Sequence, residues 1–236
     1  MVLNCLYNFL ICVPRWSPST KDCDGCARVQ LNYACAQLYT LTKLISVTDM
    51  QRYMIYLKND SHTPKDAHNL LLRARSLLTA SNVIIRDARV SEFNIEFDTS
   101  IPHNGIMKEV IRILATIAPI SEYEHVVEKN LPKQTAVEYA RSLFNVQKYW
   151  LAHEVLESIW KNAQGYEKEI LNGIILVAAA YVHDEKDETD ICISILKRAS
   201  KKLEKGAGDY LGIDIDRLKY NLLKIIQEGP IKRFQI

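Results

Sequence analysis

The sequence lacks the short motifs that name a reaction. It contains no Walker loop, no G-x-G-x-x-G, no G-x-S-x-G and no H-E-x-x-H. These motifs place a phosphate-binding backbone, a nucleophilic serine or two zinc-binding histidines in a defined local structure. Without them, no motif identifies a reaction for this chain.

Long apolar runs are also missing. No stretch reaches the roughly 18 apolar residues that a membrane-spanning helix needs. The nearest run, from Val2 to Val13, has no positive segment before it and no small-residue cleavage site after it. We therefore expect no membrane insertion and no signal peptide, and we expect the protein to be cytoplasmic.

Charge of one sign is not in excess. The chain carries 30 basic and 28 acidic side chains in 236 residues. Binding to DNA or RNA depends largely on neutralising phosphates, so we do not expect nucleic acid as a partner. A basic cluster near residue 200 ends a predicted helix that begins with acidic residues, which is typical of a solvent-exposed helix.

Cysteine is concentrated at one end, with five of the six cysteines in the first 35 residues. A disulfide framework would spread them along the chain, so this distribution argues against a secreted scaffold. Residues 1–49 also lack Glu and His and show little helical or strand period. We interpret residues 1–49 as an N-terminal tail, with three alternatives. They are a mis-assigned extension ahead of a start at Met50 or Met54, a zinc knuckle on Cys23 and Cys26, or a weakly helical segment.

Residues 50–130 alternate between strand and helix patterns. Tyr53, Ile55 and Leu57 alternate with other residues as in a strand, and Thr63-Pro64 begins a helix. Further predicted elements are strands near 83–90, 93–98 and 120–127 and a second helix opened by Asn104-Gly105. The order βαββαβ predicts an α+β, ferredoxin-like split-βαβ domain. Phe93 and Phe97 on its third strand are predicted to be core residues.

Residues 131–236 carry helical patterns only, and they predict an all-α five-helix bundle as a second domain. The most apolar helix, apolar on almost every side, is expected to be central. The five predicted helices cover residues 134–145, 148–162, 167–183, 189–205 and 214–228.

One helical stretch carries a recognisable signature. The run Phe144-Asn145-x-x-x-Tyr149-Trp150-x-Ala152-His153-Glu154-x-Leu156-Glu157-x-x-Trp160 resembles that of an uncharacterised helical family, domain of unknown function family 309. Residues 171–183 and 210–214 are similar to two further blocks, so the resemblance covers about residues 134–228. It implies an all-α fold and no established reaction. Two positions depart from the pattern, since Gln147 replaces the usual glycine and Asn172 the usual glutamine.

Several polar side chains of this signature are expected to lie close together. His153 lies on the same face of its predicted helix as two aromatic residues, and Glu157 is about 40° around the helix from it. A second stripe, on the helix at 167–183, ends at His183, so a polar site forms if the two faces meet. The candidate pocket residues are Tyr149, His153, Glu154, Glu157, Trp160, Asn172 and His183.

Three interpretations of this group remain open. The one that the sequence favours is a hydrogen-bonded network that only fixes helix packing. The others are a pocket for a small ligand or partner, and a metal or acid–base site. No cofactor is predicted, but a divalent metal would find weak candidate ligands in His153, Glu157, His183, Cys23 and Cys26.

The sequence thus favours a binding or assembly protein whose partner is another protein or a second copy of the chain. The alternative is a metal-dependent hydrolase that uses His153 and Glu157 as catalytic residues.

Overall fold

The computed structural model describes residues 50–102, 106–127 and 129–236. The predictions for residues 1–49, including the zinc knuckle at Cys23 and Cys26, lie outside the described residues. So does the predicted helix start at Asn104-Gly105.

The first half of the described chain is a four-stranded antiparallel sheet with two helices. The strands occur in the order β2-β3-β1-β4. Each helix therefore connects two strands that run in the same direction and are separated by one other strand. The elements are β1 (Met50–Lys58), α1 (Ala67–Leu77), β2 (Ile84–Val90), β3 (Asn94–Pro102), α2 (Met107–Leu114) and β4 (Ile120–His125).

α1 begins at a capping box, close to the start that the sequence predicts. The backbone N–H of Thr63 donates to the Asp66 carboxylate at 2.7 Å, and a 3₁₀ turn, Pro64–Asp66, leads into the helix. The buried residues Ala67, Leu70 and Ala74 then follow at helical spacing. The helix therefore packs one side against the sheet.

The two faces of the sheet meet different helices. Ile55 and Leu57 of β1 belong to a core shared with α1 and α2. Met54 and Tyr56 belong to the core of the helical region that follows in the chain. Because successive side chains of a strand point to opposite faces, β1 is buried on both sides, with helices above and below the sheet.

The second half of the described chain is mainly helical, and α5 packs against both α4 and α6. One pair of two-residue antiparallel strands, absent from the sequence prediction, lies before the last helix. At Gly173 of α5, a Cβ atom would lie 2.4 Å from Leu203 Cγ, so glycine permits the close approach to the end of α6.

The predicted α+β fold with a helical C-terminal region is confirmed. No helix in the described ranges is both long and apolar enough to cross a bilayer. The elements are α3 (Lys133–Asn145), α4 (Tyr149–Trp160), α5 (Gly165–Asp184), α6 (Thr189–Lys202), β5 (Asp209–Tyr210), β6 (Ile213–Asp214) and α7 (Ile215–Glu228).

The prediction of two core aromatics on β3 is wrong for one of them. Phe97 is fully buried, but Phe93 is 54 % exposed. Phe93 precedes β3, in the turn that joins it to β2, and so does not follow the side-to-side alternation of the strand.

Charged side chains lie on the sheet face that carries Met54 and Tyr56. Arg89 of β2 is 1 % exposed and pairs with Glu96 of β3 and with Asp87, 3.1 Å away. Burial alone would lower the pKa of Arg89, but the neighbouring carboxylates outweigh burial and raise it. The guanidinium carbon of Arg89 also lies 5.7 Å from the ring centroid of Trp150 in α4. The sheet and the helical region therefore meet partly through buried charges.

Gln147 ties the turn before α4 to the turn before β3. Its φ of 60° is left-handed, a conformation that costs a non-glycine residue about 1–2 kcal/mol. Its side-chain amide accepts from the N–H of Glu92 at 2.9 Å and donates to the Glu92 carboxylate at 3.1 Å. The glycine of the family pattern would relieve the strain and make neither hydrogen bond.

We expect Gln147→Ala to destabilise the protein more than Gln147→Gly does. Alanine loses both hydrogen bonds, each worth about 1 kcal/mol, and keeps the left-handed backbone. Glycine loses the same bonds but adopts this backbone without strain. Urea unfolding of both variants measures the difference. Equal destabilisation would show that backbone strain at this position is negligible.

Candidate functional site

α4 places a histidine at the margin of the helical core. Its buried side is formed by Tyr149, Ala152 and Leu156, spaced three and four residues apart. His153 follows Ala152 and turns partly outward, so its side chain is 14 % exposed. The helix therefore holds His153 between the core and the surface.

Two glutamates flank the ring of His153. Its Nδ1 lies 3.7 Å from Glu154 Oε1, and its Nε2 lies 3.6 Å from Glu157 Oε1. Both separations exceed the roughly 3.2 Å limit of ordinary N–H···O hydrogen bonds. Within the described residues, the buried Nδ1 atom has no hydrogen-bond partner. The three side chains are therefore close together without being hydrogen-bonded to one another.

This group has the composition of a metal site. One ligand atom from each of His153, Glu154 and Glu157 can be chosen so that all lie within 4.8 Å of one another. Imidazole and carboxylate groups are ligands of zinc and other transition metals. One ion would use a single ring nitrogen, so the group supplies three protein ligands and leaves coordination positions for water or a further ligand.

A pocket of about 220 Å³ adjoins the same glutamates. Glu154 and Glu157 line it from α4 and Tyr139 from α3, and residues at and beyond the end of β4 close the opposite side. There, Lys129 Nζ lies 2.7 Å from Glu124 Oε1, and the Tyr139 hydroxyl donates to the same oxygen at 3.1 Å. Since most small-molecule sites enclose about 300–1,000 Å³, this pocket suits a small ligand.

The other predicted pocket residues lie elsewhere on the helices. Tyr149 is buried and stacks on Tyr181 at 4.8 Å between ring centroids. Trp160 lies under Lys168, whose Nζ is 4.7 Å from the ring centroid. His183 pairs with Glu188 in the turn before α6.

Trp160 and Asn172 are both partly buried. Trp160 Nε1 is buried and unpartnered in the part of the chain that the structure describes. The structure therefore groups His153, Glu154 and Glu157, and it places His183 with a different carboxylate.

Sequence reasoning missed the link between this site and the sheet. Arg52 of β1 lies over the Trp150 ring at 4.2 Å and binds Asp98 through hydrogen bonds of 2.9 and 2.6 Å. Burial alone would lower the pKa of Arg52, but Asp98 and, more weakly, Glu154 raise it. Trp150 belongs to the quoted signature, but its partners lie far away in the sequence, where residue spacing carries no signal.

The helices that carry the site match a known family. Residues 137–195 match DUF309, a domain of unknown function. The DUF309 match extends from α3 into α6 and contains His153, Glu154 and Glu157. It confirms the resemblance predicted from the signature around His153. The DUF309 description names no activity.

A crystal structure of a conserved hypothetical protein from Thermus thermophilus is similar to part of the chain. The two sequences are 28 % identical over 41 % of this chain and 98 % of that protein, with a TM-score of 0.35. The curated proteins gave no match.

Proposed function

We propose that the protein is a binding protein that holds a divalent transition-metal ion at His153, Glu154 and Glu157, beside a pocket for a small ligand. The observation that carries this proposal is the buried Nδ1 of His153, which has no hydrogen-bond partner among the described residues although two carboxylates flank the ring. Buried polar atoms without hydrogen bonds are rare in folded proteins and call for an explanation such as a missing ion.

The distances support a metal ion. Zinc binds histidine nitrogen and carboxylate oxygen at about 2.0–2.2 Å, which places tetrahedral ligands roughly 3.3 Å apart. The observed separations of 3.6 and 3.7 Å are slightly wider, and they involve the two different nitrogens of the ring. An ion would bind one ring nitrogen, so the glutamate that faces the other nitrogen would have to rotate its side chain toward the ion.

The ligand set indicates which ions fit. Imidazole favours zinc, copper, nickel and iron, whereas magnesium and calcium prefer sites made of oxygen ligands. The two glutamates neutralise the charge of a divalent ion. We therefore expect zinc to bind, and magnesium to bind weakly.

Metal-dependent hydrolysis is the second candidate function, with His153 and Glu157 in the reacting group. The observation that favours it is the position of Glu154 and Glu157, which belong both to the group and to the pocket wall. An ion with three protein ligands can bind a water molecule and lower its pKa. A ligand in the pocket would then lie next to that water.

We expect wild-type protein to bind one zinc ion per chain in isothermal titration calorimetry. His153→Ala should abolish this binding, and Glu157→Gln should weaken it by at least about tenfold, as altered metal sites commonly do. His68→Ala is the matched control, because His68 is exposed on α1 and should not affect binding. Absence of saturable binding by the wild type would contradict the proposal.

Thermal stability without metal separates the ligand site from a purely structural network. Since His153 loses no hydrogen bond on truncation, His153→Ala should melt at or slightly above the wild-type temperature. A structural network would instead leave a buried group unsatisfied and cost about 1–3 kcal/mol. Saturating metal should raise the melting temperature of the wild type and leave that of the variant unchanged.

A further inference from the structure

The chain continues beyond α7 as a segment without helix or strand, residues 231–236, here called the tail. Gly229, with a φ of 87°, ends α7 and redirects the chain. Ile231, Phe234 and Ile236 then pack against the core of the helical region, whereas Lys232 and Gln235 are exposed. The tail therefore lies along the surface, with four side chains partly buried and those of Lys232 and Gln235 exposed to water.

The tail is bound through its backbone at two points. Asn145, at the end of α3, accepts from the N–H of Ile236 at 2.9 Å and donates to its carbonyl at 3.2 Å. The Tyr181 hydroxyl donates to the carbonyl of Lys232 at 2.6 Å. These hydrogen bonds engage backbone groups that every peptide carries, so they do not depend on the side chains of the tail.

Two tail side chains provide specificity. Arg233 Nη2 lies 2.7 Å from Asp184 Oδ2, and its guanidinium carbon is 5.3 Å from the ring centroid of Tyr181. Phe234 packs against Phe144 and Tyr181, with ring centroids 5.9 and 5.7 Å apart. The site therefore combines an acidic group for a cation with an aromatic surface for an apolar side chain.

The binding surface, here called the tail groove, consists of Phe144, Asn145, Tyr149, Tyr181 and Asp184. All five residues lie within the DUF309 match at 137–195, and the tail lies outside it. The groove thus belongs to the matched domain, whereas its occupant comes from a different part of the chain.

We propose that the tail groove is a peptide-binding site for an extended segment of a partner protein, in which arginine and phenylalanine are adjacent and an aliphatic residue follows two positions later. The tail shows this chemistry as the intramolecular occupant. Recognition through backbone hydrogen bonds and side-chain pockets is a recurring mode of peptide binding. A tethered tail has an effective concentration in roughly the millimolar range, so a partner must compete with it.

The test uses the full chain with Arg233→Glu and Phe234→Ala, which remove the ion pair and the aromatic contact that hold the tail and leave the groove residues unchanged. The fluorescein-labelled peptide Gly-Pro-Ile-Lys-Arg-Phe-Gln-Ile should bind this variant with a micromolar Kd in fluorescence anisotropy. Wild-type protein should bind it at least about tenfold more weakly, because its own tail competes. A scrambled peptide should not bind, and adding Asn145→Ala should remove most of the binding. A cooperatively folded variant that fails to bind the peptide overturns the proposal.

Hydrogen exchange of the wild type provides a test that needs no variant. The Ile236 amide should exchange faster than the amides of α5, because the tail opens without global unfolding. Excess peptide should accelerate exchange at Ile236 and leave α5 unchanged. Exchange at Ile236 as slow as in α5, with and without peptide, overturns the proposal. A wild-type dimer that the peptide dissociates would assign the groove to a second copy and overturn the choice of a partner protein.

Discussion

Replacing Arg89 by methionine is expected to lower the free energy of unfolding by about 3–5 kcal/mol, the usual cost of breaking a buried ion pair from one side. Arg89 and its partner Glu96 are both almost inaccessible to water. Methionine fills much of the space of arginine but leaves the Glu96 carboxylate buried without its cation. Guanidinium chloride unfolding at neutral pH measures the loss.

Two further variants establish the cause. The double variant Arg89→Met with Glu96→Met removes both charges, and such replacements of buried pairs are often neutral or stabilising. It should therefore recover most of the lost stability. Arg52→Met is the matched control, because Arg52 is 34 % exposed and its loss should cost less. A double variant as unstable as Arg89→Met alone would show that packing, and not charge, causes the loss.

Replacing Glu185 by glutamine is expected to stabilise the protein at neutral and alkaline pH. Glu185 is buried at the end of α5, and its Oε1 atom has no hydrogen-bond partner in the described ranges. Burial raises its pKa well above the ordinary value of 4.5, and Glu96 adds to this, while Arg233 and Arg89 oppose it. The folded protein therefore retains a proton that the unfolded chain has released.

The sign of the pH dependence follows from that proton. The contribution of Glu185 to the free energy of unfolding is complete below the pKa that its carboxyl group has in the unfolded chain. As the pH rises from that value toward the higher pKa in the folded protein, the contribution declines by up to about 1.4 kcal/mol per pH unit. Glutamine stays neutral, so the advantage of Glu185→Gln should grow between these two values. Melting temperatures measured from pH 4 to 8 test this, with the exposed Glu204→Gln as control. A variant less stable than wild type throughout would mean that Arg89 and Arg233 stabilise a charged Glu185.

Most elements of the fold could be predicted because each has a distinct period, but the two-residue strands β5 and β6 are too short to show one. The predicted helix at 148–162 corresponds to Tyr149–Trp160, and the alternation around Phe97 predicted β3. That alternation shows only that the two faces of a strand differ. It could not show that Glu96 and Asp98 meet arginines instead of water, because the arginines come from other strands.

The candidate site was predictable where its residues share one helix. His153, Glu154 and Glu157 have a fixed relation on α4, whatever surrounds it. The position of His183 depends on how α5 lies along α4, which is set by every side chain packed between them. The pairing of Lys129 with Glu124 joins a loop to a strand and follows no sequence period.

The charged sheet face also bears on how the chain folds during synthesis. The ribosome completes the sheet before α4 and α5, so for a time the face that will meet these helices is open to water. An apolar face at that stage would invite association between nascent chains. Arg52, Arg89, Glu96 and Asp98 place four charges on this face, so we expect water to bind there until the helices pack on it. The later dehydration of these charges costs stability, and we expect it to be offset by a lower tendency of the incomplete chain to aggregate.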